Sequence, residues 1–270
     1  MFLQKITILI TILIFINTLF SAPKDGSDYV SVELIPLTNG IAPNQSFYLA
    51  TKFKIDKKWH LYWKNPGDAG LPPSVEWNLP KGFITSNYIF PTPKKLVESE
   101  ILSFVYDREL YLLTEIKAPE EIPNSIEIGA KIDWLVCKDI CLPGKGEAKL
   151  SLPKVNSIES SEEQKTLLDG IKSKLPLELD LNFKAETDGK KIILKFESEK
   201  DFSELEFYPE NGELLDYEFE EKITQDGKIY EVEFKRSEYN DKLPKNFKGL
   251  LFSKDSKKAI SVNIELVLED

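Results

Sequence analysis

The sequence predicts an all-β protein: two antiparallel β-sandwich domains joined by a short helical linker. Three observations lead there. Apolar and polar residues alternate at or near period two in stretch after stretch, which is the signature of half-buried strands rich in Val, Ile, Phe and Tyr. Turn signals such as TNG, ENG and QDG punctuate those stretches. Only one window, SSEEQKTLLDGIKSKL at 160–175, has good helical character. Many short strands without βαβ alternation point to sandwiches rather than a parallel sheet.

Taken in order, the N-terminus reads MFLQKITILITILIFINTLFSAPKDG. One lysine, an apolar run over 6–20 and a small-residue pair form the pattern of a secretory signal peptide over 1–22. The run is short for an ordinary membrane anchor, although an uncleaved anchor is the alternative. Both readings place the remainder across a membrane, in a periplasmic or secreted location. The first domain, expected over 23–155, carries the alternating stretches YVSVELIPL (29–37), SFYLATKFKI (46–55), LYLLTEIKA (110–118) and SIEIGAKIDWLV (125–136). The linker and helix are expected over 156–175, with Ser160 or Ser161 as N-cap and Glu163 in the first turn. The second domain, 176–270, carries KIILKFES (191–198), KIYEVEFK (228–235) and AISVNIELVL (259–268).

Charge marks the same division. The net charge is −1 over residues 23–157 and −10 over 158–270. A shift of that size at mid-chain suggests a domain boundary. An acidic chain without a basic stripe is a poor ligand for nucleic acid or anionic lipid.

Both cysteines lie in IDWLVCKDICLPG, with only three residues between them. Helical neighbours at i and i+4 stand too far apart for a disulfide. Residues facing each other across two strands stand close enough. The expectation is a pair across the mouth of a tight turn made by Lys138, Asp139 and Ile140, with Cys137 the more buried sulfur. Cys141 precedes LPGKG, expected to be flexible and exposed, with Lys145 nearby to lower a thiol pKa. Closing so short a loop constrains the unfolded chain by only about 2 kcal/mol. A chain this long does not need so weak a staple, so a redox role and a structural hairpin clip both stand on these grounds. A zinc site would lack ligands, since His60 is the single histidine. No cofactor is implied.

The second motif is KKWHLYWKNPGDAGLPPSVEWNLPKGF, residues 57–83. Alone it reads as a strand and an ordered loop with Trp59, Trp63 and Trp77 packed in a core. Together with FPTP at 90–93 and WLVCKDICLPGKGEAKLSLP at 134–153, it resembles the N-terminal periplasmic domain of the DsbD family of thiol:disulfide interchange proteins. The resemblance runs over most of 28–155. Over 175–268 it extends to the longer, ScsB-like members, in which two immunoglobulin-like domains come first.

That resemblance implies two immunoglobulin-like sandwiches and a dithiol/disulfide at Cys137 and Cys141. The implied activity is of protein-disulfide reductase type, with Cys141 forming the mixed disulfide and Cys137 resolving it. It implies thioredoxin-like or disulfide-isomerase-like partners. Family members continue into a membrane electron transporter and a thioredoxin-like domain that these 270 residues do not contain, so the electron donor is expected to be a separate protein. The resemblance also implies an aromatic cap over the pair within ESEILSFVYDREL, for which Phe104 and Tyr106 are the candidates. His60 and Tyr62 are expected to run beside the pair, where either can hydrogen-bond a thiolate. The competing reading is a non-catalytic extracytoplasmic binding or adaptor protein whose hairpin disulfide is structural.

Overall fold

The computed structural model describes residues 25–268 apart from 180, 200, 201, 203, 218, 220, 241 and 254–257. The expected signal peptide lies outside the described residues. A 3-10 turn, Gly26–Asp28, leads into β1 (Val30–Pro36), β2 (Ser46–Ile55), β3 (His60–Gly67), β4 (Ser74–Asn78) and β5 (Ile84–Thr85). There follow β6 (Lys94–Glu98), β7 (Ile101–Asp107), β8 (Glu109–Lys117), β9 (Ser125–Cys137) and β10 (Cys141–Pro153). Helix α1 (Glu162–Ser173) precedes β11 (Lys184–Thr187), β12 (Lys191–Glu197), β13 (Leu205–Pro209) and β14 (Lys222–Asp226). The last strands are β15 (Ile229–Lys235), β16 (Asn246–Ser253) and β17 (Ile260–Leu268).

The first ten strands make two facing antiparallel sheets. One has the order β1-β2-β8-β5, the other β10-β9-β3-β7-β6 with β4 also paired to β9. Alternation decides which side chains meet between them. Phe53, Leu110 and Leu112 from one sheet pack against Leu61, Trp63, Trp134 and Val136 from the other. Phe47, Leu49, Ile116, Ile126 and Ile128 continue the core toward the other end. Trp134 shows why the cysteine motif carries two glycines. Its register partner is Gly144, with Gly146 opposite Ile132. A Cβ on Gly144 would stand 2.3 Å from the indole Nε1, and one on Gly146 would stand 2.6 Å from the Val32 Cγ2 and 3.2 Å from the far edge of the ring. LPGKG is therefore strand, not the flexible stretch expected: Leu142–Gly146 pair with β9 throughout, and Gly144 is buried.

The second group of strands follows one hydrogen-bonded path, β13-β16-β17-β11-β12-β15-β14. Its core joins Ile192, Leu194 and Phe196 to Tyr230, Val232, Phe234, Phe207 and Phe247. Fully antiparallel pairing was expected, but β11 and β17 run parallel, with Ala185 opposite Leu266. These two strands come from opposite ends of the second half. Parallel neighbours need a long connection, so no local pattern announces them.

The helix is docked rather than free. Ser161 caps it in a capping box, its hydroxyl accepting from the Gln164 amide while the Gln164 side chain accepts from the Ser161 amide. Ile171, Leu167 and Leu168 pack on Leu37, Ala50 and Leu113, against the four-stranded sheet. Gln164 also donates to the Pro36 and Thr38 carbonyls at 3.2 and 3.0 Å.

The two groups of strands meet at the end of the first core. Phe104, on β7, lies 4.5 Å from Tyr208 and 6.2 Å from Tyr217, ring centre to ring centre. Asn65 donates to the Pro209 carbonyl and the Tyr217 hydroxyl at 2.6 and 2.7 Å. Lys64 pairs with Glu210, and Lys95 pairs with Glu206 at 3.3 Å. Phe104 also packs edge-on to Trp63. It is thus a keystone shared by both halves. Truncating Phe104 to Ala should cost about 3–5 kcal/mol of unfolding free energy in urea, the usual range for a buried phenylalanine. A loss below about 1 kcal/mol would contradict this packing.

Candidate functional site

The β9–β10 hairpin builds the site. Its register places Cys141 directly opposite Cys137, Cα atoms 4.1 Å apart, and the two sulfurs are bonded. Residues 138–140 form the turn, within which the Lys138 amide donates to the Ile140 carbonyl at 3.0 Å. The two sulfurs lie in different surroundings. Cys137 is 2% exposed, whereas Cys141 is exposed.

Strand parity explains what surrounds Cys137. Trp134 and Val136 of β9 point into the core, so Leu135 and Cys137 point to the outer face. On β3, His60 stands opposite both Cys137 and Asp107, and Tyr62 stands opposite Val105. Tyr62, Val105 and Cys137 form a small buried cluster closed by Leu96 and Leu135. This apolar seat disfavours a charged Cys137 sulfur.

Cys141 faces a polar pair instead. The Tyr62 hydroxyl is 3.9 Å from the Cys141 sulfur. The His60 Nε2 is 3.3 Å from that same hydroxyl, its ring edge-on to the phenol. Which group donates follows the histidine tautomer. Burial lowers the His60 pKa below its ordinary value, opposed by the carboxylate of Glu98, so the imidazole is neutral at pH 7. Burial, with Glu98 second, raises the Tyr62 pKa, so the phenol keeps its proton. A protonated phenol is a hydrogen-bond donor available to a thiolate.

The expected aromatic cap is corrected here. Phe104 and Tyr106 share β7 with Val105 but alternate to the inner face. Phe104 serves the junction between sandwiches. Tyr106 is 6% exposed, donates to the Pro91 carbonyl at 2.6 Å and stacks on Phe90. Neither covers the disulfide. From that segment Val105 packs against Cys137 on the outer face, joined by Leu96 just before it, and Glu98 acts by charge on His60 and Tyr62; positive φ at Ser99 and Glu100 forms the turn between β6 and β7. Alternation in KKLVESE marks Leu96 and Glu98 as one face, but not which face. Lys145 is also corrected: it pairs with Asp133 at 3.3 Å, four residues along the strand from Cys141, about 13 Å away. The polar partner at the sulfur is a phenol rather than an ammonium.

Comparison with known proteins fits this geometry. Residues 31–153 match the family model described as thiol:disulfide interchange protein DsbD, N-terminal. Residues 31–153 form a DsbD N-terminal-like domain. Its fold is similar to the N-terminal periplasmic domain of ScsB from Proteus mirabilis, with a TM-score of 0.60 at 14% identity, covering 87% of this chain and 92% of that one. It also matches the DsbD N-terminal domain of Neisseria meningitidis in its reduced form, with a TM-score of 0.30 at 8% identity, over 52% of this chain and 96% of that one. No curated protein matches the chain. The DsbD N-terminal family and the Cys137–Cys141 bond support thiol:disulfide exchange at the level of the family. Among the described residues, no helix is long and apolar enough to cross a membrane.

The Tyr62 hydroxyl has a measurable consequence. In a Cys137→Ala background, Tyr62→Phe should slow attack of Cys141 on a small aromatic disulfide at pH 7 about fivefold, equivalent to about 1 kcal/mol of lost hydrogen bonding to the thiolate. The pH midpoint of the rate should move upward. Well above that midpoint the variant should be no slower, since a more basic thiolate is a better nucleophile. Identical pH profiles would exclude Tyr62 from the thiolate's environment.

Proposed function

We propose that residues 23–155 form a redox sandwich that passes two electrons between thioredoxin-like or disulfide-isomerase-like proteins through Cys137 and Cys141. The observation that carries this is the asymmetry of the pair: one sulfur exposed beside a phenol, its bonded neighbour buried in an apolar seat. In the reduced form the Cys141 thiolate attacks one sulfur of a partner disulfide. That partner bond breaks, its second sulfur leaves as a thiolate and takes a proton, and a mixed disulfide links Cys141 to the partner. Cys137 then loses its proton and attacks the Cys141 sulfur. The mixed disulfide breaks, the partner's first sulfur leaves and is protonated, and the Cys137–Cys141 bond re-forms. Two electrons and two protons have moved to the partner. The reverse sequence reloads the pair from a thioredoxin-like donor, or from a separate membrane electron transporter.

In this reading Tyr62 stabilises the Cys141 thiolate, and neutral His60 orients the phenol and can accept a proton through it. Burial of Cys137 suits a resolving thiol, which needs to meet only its own neighbour. The helix region 156–175 and the acidic half 176–270 form a docked linker and a second sandwich that braces the first. The N-terminal signal pattern and the DsbD N-terminal family both support a location outside the cytoplasm.

The test uses single-cysteine variants with an oxidised thioredoxin-like protein. Cys137→Ala should accumulate a mixed disulfide through Cys141, and Cys141→Ala should accumulate far less. Trapping only through Cys137 would reverse the roles, and trapping by neither would leave the bond a structural clip.

A further inference from the structure

Beside the disulfide is an apolar notch with no part in the exchange chemistry above. It is lined by Tyr29, Trp59, Ile140 and Leu142, with Lys138 and Asp139 at its rim. Ile140 and Leu142 are the chain neighbours of Cys141 on either side. Tyr29 and Trp59 come from the segments preceding β1 and β3, and their rings stack with centroids 4.0 Å apart. We infer that this notch is the docking surface for the exchange partner, and that it receives the uncharged, apolar collar around a thioredoxin-like protein's reactive cysteine. The inference rests on the proposed exchange function.

Three observations favour that occupant. The first is position. Specific interfaces bury about 800 Å² per partner, a disc of about 16 Å radius. A partner that brings its sulfur to Cys141 therefore reaches residue 140, whose Cα lies about 3.8 Å from that of residue 141. The second is composition. Hairpin tips favour Gly, Asn and Asp, yet this one ends in isoleucine, 62% exposed, immediately before the reacting cysteine. A stacked Tyr–Trp pair is a rigid apolar platform of the kind that concentrates binding energy. The third is charge. Lys138 and Asp139 pair with each other at 3.0 Å, so the rim presents no net charge. A strongly charged partner surface would find no counter-ion there, whereas an apolar collar buries area at no electrostatic cost.

The exchange reaction separates docking from sulfur chemistry, because a small dithiol needs no notch. The oxidised protein is reduced either by reduced thioredoxin or by dithiothreitol. In each case the reductant's two thiols become a disulfide and Cys137 and Cys141 become thiols. Alkylation of the new thiols follows the rate. Ile140→Ser should slow reduction by thioredoxin about five- to tenfold and leave reduction by dithiothreitol within about twofold, in line with the loss of one buried aliphatic side chain. Ile140→Leu should retain the wild-type rate with both reductants. Wild-type speed of Ile140→Ser with thioredoxin would overturn the docking assignment. So would equal slowing with both reductants, which would place the effect in the disulfide itself. If dithiothreitol reduces the wild-type protein and thioredoxin does not, the exchange function fails, and the docking role fails with it.

Discussion

The register of the β9–β10 hairpin is the constraint on which the rest of this molecule depends. Cys141 opposite Cys137 fixes the disulfide. The same register puts Trp134 over Gly144, and the indole has room there because Gly144 lacks a Cβ. A slip of one residue would turn the cysteines into the core and the tryptophan to solvent. Core and site are therefore two faces of one ladder. The inner face holds Trp134, Val136 and, across β3 and β7, Leu61, Trp63, Phe104 and Tyr106. The outer face holds Cys137, Leu135, Tyr62 and Val105.

The second group of strands enters through this same sheet. Its contacts fall on Lys64 and Asn65 at the end of β3, on Lys95 of β6 and on Phe104 of β7. Those three strands also supply Tyr62, Leu96 and Val105 around the disulfide. The acidic half thus grips, from behind and from the end, the strands whose outer faces seat Cys137. An aromatic junction with a buried asparagine holds such a contact more firmly than exposed ion pairs do.

Much of this was legible in the sequence because strand periodicity is local. The stretches at 46–55 and 125–136 became β2 and β9 with little change, and of the two N-cap candidates, Ser160 and Ser161, the structure uses Ser161, with Gln164 completing a capping box that the sequence reading did not name. The hairpin pair was readable because only opposed strand positions bring Cβ atoms four apart in sequence close enough to bond. The facing of β7 was not. Phe104 and Val105 alternate in any register, and which of them turns outward depends on pairing with β3, forty residues away in sequence. The same holds for Glu98, whose influence on His60 exists only through tertiary folding. Lys145 misled for a simpler reason: proximity in sequence along a strand is distance in space.

Under the proposed function the Cys137–Cys141 bond is exchangeable, held in unequal surroundings, and not a brace. Its reduction potential tests that most directly, by equilibration of the purified protein against glutathione or dithiothreitol couples with alkylation of the free thiols. A potential well above about −300 mV, in the range of thiol:disulfide exchange proteins, is the expected result. A value below about −300 mV would mark an inert structural bond and contradict the account.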